Sequence, residues 1–254
     1  MAVLALARRE MVRFWRERTR VVGALLQPLM FWGLFSAGLG ASFRPSGGDG
    51  AGYAAYLFPG TVVLILLFTA IFSTISVIED RREGFLQGVL AAPVPRASIV
   101  LGKVLGGTAL AVAQAALVLL CAPLVGLRPS LLSVAGALGV LVLIGFALTA
   151  LSFCIAWRMR STQGFHAIMT IFLMPLWLLS GAFFPADGAP LWLRALILAD
   201  PLTYGLASLR RLLSNGAGAE LAGLPSGLLS LALTLLFGAA AFGCALALAR
   251  RTES

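Results

Sequence analysis

The sequence predicts an all-α polytopic membrane protein with six transmembrane helices, and three observations carry that fold class. Of 254 residues, 60% are hydrophobic and only 11% charged, against about a quarter charged in an ordinary soluble domain. The mean hydropathy is +0.98. Six apolar runs are each long enough to cross a bilayer, at residues 21–41, 53–78, 99–125, 131–157, 165–183 and 227–249. The net charge is +9, but the cations sit near the ends of the runs rather than in a patch. The lipid membrane is therefore the expected partner, and nucleic acid is not. Cys121, Cys154 and Cys244 all lie inside apolar runs without a CxxC or a neighbouring His, which reads as small core residues.

Before the first span, Leu4, Ala7, Met11, Phe14 and Trp15 share one helical face, and Arg9, Arg13, Arg16 and Arg20 share the opposite one. Residues 1–20 therefore form either an interfacial amphipathic helix, its rings in the acyl boundary, or a plain basic flank that sets orientation. The first span is read as retained rather than as a cleaved signal peptide, because the basic segment ahead of it is long and helix-patterned. Gln27-Pro28 and Pro175 mark expected kinks in the first and fifth spans. The third and fourth spans are joined by the turn Gly-Leu-Arg-Pro-Ser at 126–130. After the fifth span, the patches at 191–198 and 202–213 are too short to cross and are split by Asp200-Pro201. They predict two short re-entrant outer helices within 184–213, capping a cavity or seam.

Six spans put both termini on one side. Fourteen of the 19 Lys and Arg residues fall on that side, namely Arg8, Arg9, Arg13, Arg16, Arg18, Arg20, Arg81, Arg82, Arg96, Lys103, Arg158, Arg160, Arg250 and Arg251. Arg44, Arg128, Arg194, Arg210 and Arg211 fall on the other. The positive-inside rule then places both termini in the cytoplasm, and residues 79–98 become a cytoplasmic loop.

Membrane-enzyme chemistry is not visible. The sequence has no HExxH, GxSG or GxGD, and the lone His166 opens the fifth span without a nearby carboxylate. No catalytic, metal-binding or cofactor-binding residue is predicted. The one Gly-Lys pair, Gly102-Lys103, is followed by Val104 and lacks the first Gly of a P-loop. No nucleotide is bound through that motif, so energy for uphill movement must come from elsewhere. No span carries an ionisable residue at its middle, which counts against an ion-coupled secondary carrier.

The loop opens with five consecutive charged residues, Glu79–Glu83. Within it Phe85, Leu86, Val89 and Leu90 share one face of a short helix, and Pro93 and Pro95 stop it. Two readings remain open on these residues: an apolar plug for another protein's groove, or a loop helix packed on its own bundle.

These features, in order, resemble the permease subunits of type-2 (ABC-2) ABC exporters. The resemblance covers nearly the whole chain, as a single transmembrane domain over 1–254. It rests on the N-terminal helix, "YLFPG" at 56–60, "EDRREGFLQGVLAAPVPRASIVLGKVLGG" at 79–107, "FFP" at 183–185, and "PLTY" at 201–204 with Arg210 downstream. The resemblance implies a permease that pairs with a second copy or a paralogue and docks two cytoplasmic ABC ATPase subunits. ATP is hydrolysed by those partners, and no cofactor is bound by this chain directly. The docking element is a coupling helix at 84–92, so Glu79, Asp80, Glu83, Phe85, Leu86, Val89 and Leu90 are the coupling residues, with Arg13 and Arg16 as secondary contacts. Glu79 and Asp80 are expected to form salt bridges with the N-terminal Arg face or the ATPase. A path between two copies, lined by the first, second and fifth spans, is implied as well.

On that path Thr69, Ser73 and Ser76 share a face of the second span, and Phe172 and Trp177 lie on the fifth with Met174. The hydroxyls serve either as a weakly polar lining or as ordinary helix-to-helix hydrogen bonds. A path of this kind suits export of an amphiphilic small molecule (drug- or antibiotic-like) or a lipid-linked cargo across a bacterial plasma membrane. The short outer loop at 42–52 leaves no room for an extracytoplasmic domain. The rival readings are an ion-coupled secondary carrier and a non-transporting membrane assembly factor.

Overall fold

The structure, a computed structural model, describes residues 2–40, 52–91, 94–183, 186, 189–214 and 226–251, without the side chains of Gln87, Leu90, Ala91 and Arg251. The outer loop at 42–51, Pro93, Phe184, Pro185 and the Leu90 side chain thus lie outside the described residues. Among those described, all regular structure is helical. The elements are α1 (Ala2–Arg16), α2 (Arg18–Leu39), α3 (Tyr53–Arg82), α4 (Phe85–Ala91), α5 (Arg96–Leu119), α6 (Leu131–Arg158), α7 (Thr162–Trp177), α8 (Leu191–Ala199), α9 (Pro201–Leu213) and α10 (Gly227–Arg251). A 3-10 turn (Ala122–Val125) follows α5, and a π-helical turn (Leu178–Ala182) continues α7. Six helices, α2, α3, α5, α6, α7 with its π-turn, and α10, are long and apolar enough to cross a membrane. The chain is an all-α polytopic membrane protein.

α3 is the axis of the bundle. It is apolar all round, so every face must be covered, and α2, α5, α6 and α7 pack against it. From Val62 to Leu67 each residue is fully buried. α2 behaves oppositely: Ala24 and Pro28 are buried against the bundle, whereas Val22, Leu26, Met30 and Leu34 are exposed. α10 lies on α6 and α9.

The second span outruns its predicted end. α3 stays helical through Arg82, so Glu79 and Asp80 lie on a helical extension of the span rather than in a loop. A helix keeps each carboxylate at a fixed angle around its axis, and this one turns Asp80 inward. The third span ends earlier than predicted, at Leu119, and residues 122–125 form the 3-10 turn.

α1 also differs from expectation. Of the apolar face drawn from the sequence, Ala7 and Phe14 are buried, whereas Leu4 and Trp15 are 74% and 50% exposed. Glu10 is buried between the first two. The reason lies in α5. A Cβ on Gly102 would meet Leu6 Cβ at 2.8 Å and the Val3 carbonyl oxygen at 3.1 Å; one on Gly106 would meet Glu10 Cβ at 2.9 Å and the Ala7 carbonyl oxygen at 3.1 Å. The Gly-x-x-x-Gly of α5 is the seat of α1.

At the other end of α3, the fifth span breaks at Gly181, whose φ of +78° suits glycine. α8 and α9 follow as two separate helices split at Asp200-Pro201, as the sequence predicts, and α9 packs on α6, α10 and the π-turn.

Candidate functional site

The charged end gathers α1, the end of α3, α4 and the start of α5. Asp80 is fully buried and accepts hydrogen bonds from three cations. Arg9 donates Nη1 to Oδ2 at 2.9 Å and Nη2 to Oδ1 at 2.8 Å. Arg13 Nη1 reaches Oδ1 at 2.7 Å, and Lys103 Nζ donates to Oδ2. Lys103 also donates to Glu10 Oε1 at 2.8 Å, and Ser76 Oγ donates to Glu10 Oε2 at 2.5 Å. The rim of the cluster is formed by Glu79, which accepts from Arg13 at 2.9 Å and from Arg20, and by Glu83, 3.4 Å from Arg13. Hydrogen bonding to Asp80 raises the Arg9 guanidinium above its already high ordinary pKa, against the opposing effect of burial.

α4 hangs from this cluster. Gly84, at φ +77°, turns the chain out of α3. Phe85 is 36% exposed, and the Arg9 guanidinium lies 3.7 Å above its ring centroid. Leu86 is 3% exposed and belongs to the core, and Val89 packs against that core.

The predicted coupling residues therefore divide. Glu79 and Asp80 meet the N-terminal Arg face, and Asp80 has no surface left for a partner. Leu86 points inward, contrary to its reading as part of an outward ridge, because a seven-residue helix needs an apolar anchor. Glu83 and Phe85 reach the surface. Arg13 is drawn into the cluster, whereas Arg16 is exposed and forms no ion pair among the described residues.

Most path candidates move inward too. Thr69 is fully buried and donates to Gln114 Oε1 at 3.0 Å. Ser73 donates to the Ala70 carbonyl, and Ser76 serves Glu10. Trp177 is 2% exposed and donates Nε1 to the Gly60 carbonyl at 2.7 Å. These four are packing and hydrogen-bonding residues of one chain: the first three lie on the enclosed α3, and Trp177 of α7 packs against it. Phe172 is 52% exposed on α7. His166 stacks on Phe72 of α3 with ring centroids 5.5 Å apart.

The opposite end holds a second polar assembly. The break in α7 frees carbonyls that an unbroken helix would use internally. Tyr56 Oη donates to Gly181 O at 2.9 Å, and Tyr53 Oη to Phe183 O at 3.1 Å. Arg210 of α9, 4% exposed, reaches Ala182 O and Tyr56 O at 3.4 Å and lies 4.2 Å above the Tyr56 ring. Asp200 caps α9 by accepting from Leu202 N at 2.8 Å. Burial pushes its carboxyl pKa up to about 7, and the Leu202 amide opposes the rise.

The expected pairing of Asp80 with the N-terminal Arg face is met by Arg9 and Arg13, but sequence reasoning missed Glu10 and Lys103 as members of the same cluster. The signal was present: Ala7, Glu10 and Phe14 fall at helical spacing, and Lys103 sits inside the Gly-x-x-x-Gly that brings α1 close. It also missed that two arginines of the charged end cap other helices. Arg81 donates to the Trp157 and Met159 carbonyls at the end of α6, and Arg96 to Ala249 O at the end of α10.

Six apolar spans and a charged end that carries a short helix define a multipass membrane protein. The chain belongs to the ABC-2 type transporter family, whose model matches residues 1–213. It is 24% identical over 212 residues to the daunorubicin resistance ABC transporter permease protein DrrB1 of Streptomyces coeruleorubidus, covering 83% of this chain and 74% of that one. It is 28% identical over 204 residues to nodulation protein J of Sinorhizobium fredii, covering 80% and 77%. The protein is thus an ABC transporter permease, and its family implies an ATPase partner.

Proposed function

We propose that this chain is the membrane half of an ATP-driven exporter in a bacterial plasma membrane, with both termini in the cytoplasm. Two permease units, identical or paralogous, pair and dock two ABC ATPase subunits, which hydrolyse the ATP. The observation that supports this most is the build of α4. Leu86 roots it in the core and Arg9 braces it, while Phe85 and Glu83 reach the surface at the charged end. ATP-driven closure of the ATPases would push on α4 and alternate the access of a path between the two permeases.

The cargo class we propose is an amphiphilic small molecule or a lipid-linked compound. Exposed apolar side chains on α2 and α7, Phe172 among them, suit an apolar contact, and one relative is named for daunorubicin resistance. Reconstitution tests the function. The chain in lipid vesicles with its co-purified ABC ATPase should hydrolyse ATP faster than the ATPase alone and move a fluorescent amphiphile only when ATP is supplied. Movement that follows an imposed ion gradient without ATP would support the secondary carrier instead. ATPase binding with no stimulated hydrolysis would support an assembly factor.

A further inference from the structure

We infer that Arg9 is a positioning residue that carries movement of α4 into the transmembrane bundle, through the contact chain Phe85–Arg9–Asp80–Lys103. The inference rests on the coupling reading of α4 and adds to it the route of the stroke. α4 is joined to α3 only through Glu83 and Gly84, and a glycine at φ +77° is a point about which a short helix can swing. Side-chain contacts must therefore hold its direction. Leu86 anchors it in the core and Val89 packs against that core, and the Arg9 guanidinium, 3.7 Å from the Phe85 ring centroid, braces its first residue.

The same guanidinium forks onto both oxygens of Asp80, at 2.9 and 2.8 Å. Asp80, fully buried, is bound in turn by Lys103 of α5, which also holds Glu10 of α1 at 2.8 Å. One guanidinium thus lies over the Phe85 ring of the docking helix and donates its N–H groups to the three-helix junction. Buried ion pairs are poor sources of net stability. Concentrating them where α1, α3 and α5 meet beside α4 is explained by the fixed geometry they impose.

Arginine is required for this and lysine is not equivalent. A lysine at position 9 keeps the charge that balances Asp80 but loses the planar fork and the broad stack. Arg9→Lys is consequently the informative variant, since it preserves the charge balance on which folding depends. Hydrogen exchange on the purified permease in nanodiscs, with no ATPase present, should show α4 amides exchanging about tenfold faster or more in Arg9→Lys, with the centre of α3 unchanged. With the co-purified ATPase, the variant should still bind but lose most of the permease-dependent stimulation of hydrolysis. Phe85→Leu, which removes the ring and leaves the Arg9–Asp80 fork, should loosen α4 likewise, and the double variant should be no worse than either single one.

Unchanged exchange in α4 overturns the inference, and so does loosened exchange with full stimulation. So does an additive double variant. Failure of the wild-type chain to bind any ABC ATPase overturns the coupling reading itself, a result visible without any substitution and so separable from the first.

Discussion

Glu10 and Lys103, 93 positions apart, meet at 2.8 Å with both side chains almost closed to solvent. The meeting is a consequence of two glycines. Gly102 and Gly106 bring α1 against α5 so closely that the short Glu10 side chain reaches across, and Ser76 of α3 completes the site. The N-terminal helix is thereby an integral part of the bundle.

That seat predicts the effect of filling it. Gly106→Leu should push α1 away and destabilise the chain by about 1–3 kcal/mol, the usual cost of forcing bulk into a packed contact. Gly33→Leu on α2, where nothing lies within 4 Å, should leave stability unchanged. Thermal unfolding in detergent compares them, and equal behaviour at positions 33 and 106 would rule out the seat.

Much of this architecture was legible before the structure. Six runs, their order, the break at Asp200-Pro201 and the short helix after Gly84 follow from hydropathy, proline and glycine, all of which act locally. The junction of Glu10, Asp80 and Lys103 was not legible, because it depends on which face of α1 meets which face of α5. Hydropathy placed Leu4 and Trp15 with Ala7 and Phe14, yet the exposed pair and the buried pair are equally apolar. For a bilayer protein, burial in lipid and burial in protein carry the same sequence signal. The sequence likewise left Thr69, Ser73 and Ser76 open between a path lining and hydrogen bonds within the bundle, and it offered Trp177 as a path residue; their partners are Gln114, the Ala70 carbonyl, Glu10 and the Gly60 carbonyl.

Arg210 should be the costliest arginine to lose at the end opposite α4. Arg210→Met removes the hydrogen bonds from Arg210 to the Ala182 and Tyr56 carbonyls and the guanidinium over the Tyr56 ring. A loss of about 2 kcal/mol or more is expected, and Arg210→Lys should recover only part of it. The exposed Arg194 provides the comparison: Arg194→Met should shift the thermal midpoint little.

Asp200 predicts a pH dependence of stability. Its folded-state pKa of about 7 lies above the ordinary carboxylate value of 3.8, so between those pH values the native state holds a proton that the unfolded chain has released. Its contribution is fully present below about pH 4 and is lost as pH rises through 7. The wild type should therefore unfold at a lower temperature at pH 8 than at pH 5. Asp200→Asn keeps a carbonyl oxygen for the Leu202 amide and should remove most of that difference. A pH slope identical in the two proteins would assign the dependence to another group.

α4 is the place where the proposed ATPase would take hold. The most direct measurement is the binding of the co-purified ABC ATPase to the purified chain in nanodiscs, comparing wild type with Phe85→Asp and with the exposed control Gln163→Asp. Phe85 is partly exposed and Leu86 is buried in the core, so Phe85→Asp should stay folded and lose affinity about tenfold or more, while the control should bind as wild type does. A folded Phe85→Asp chain that binds the ATPase at full strength and stimulates its hydrolysis would contradict that role of α4.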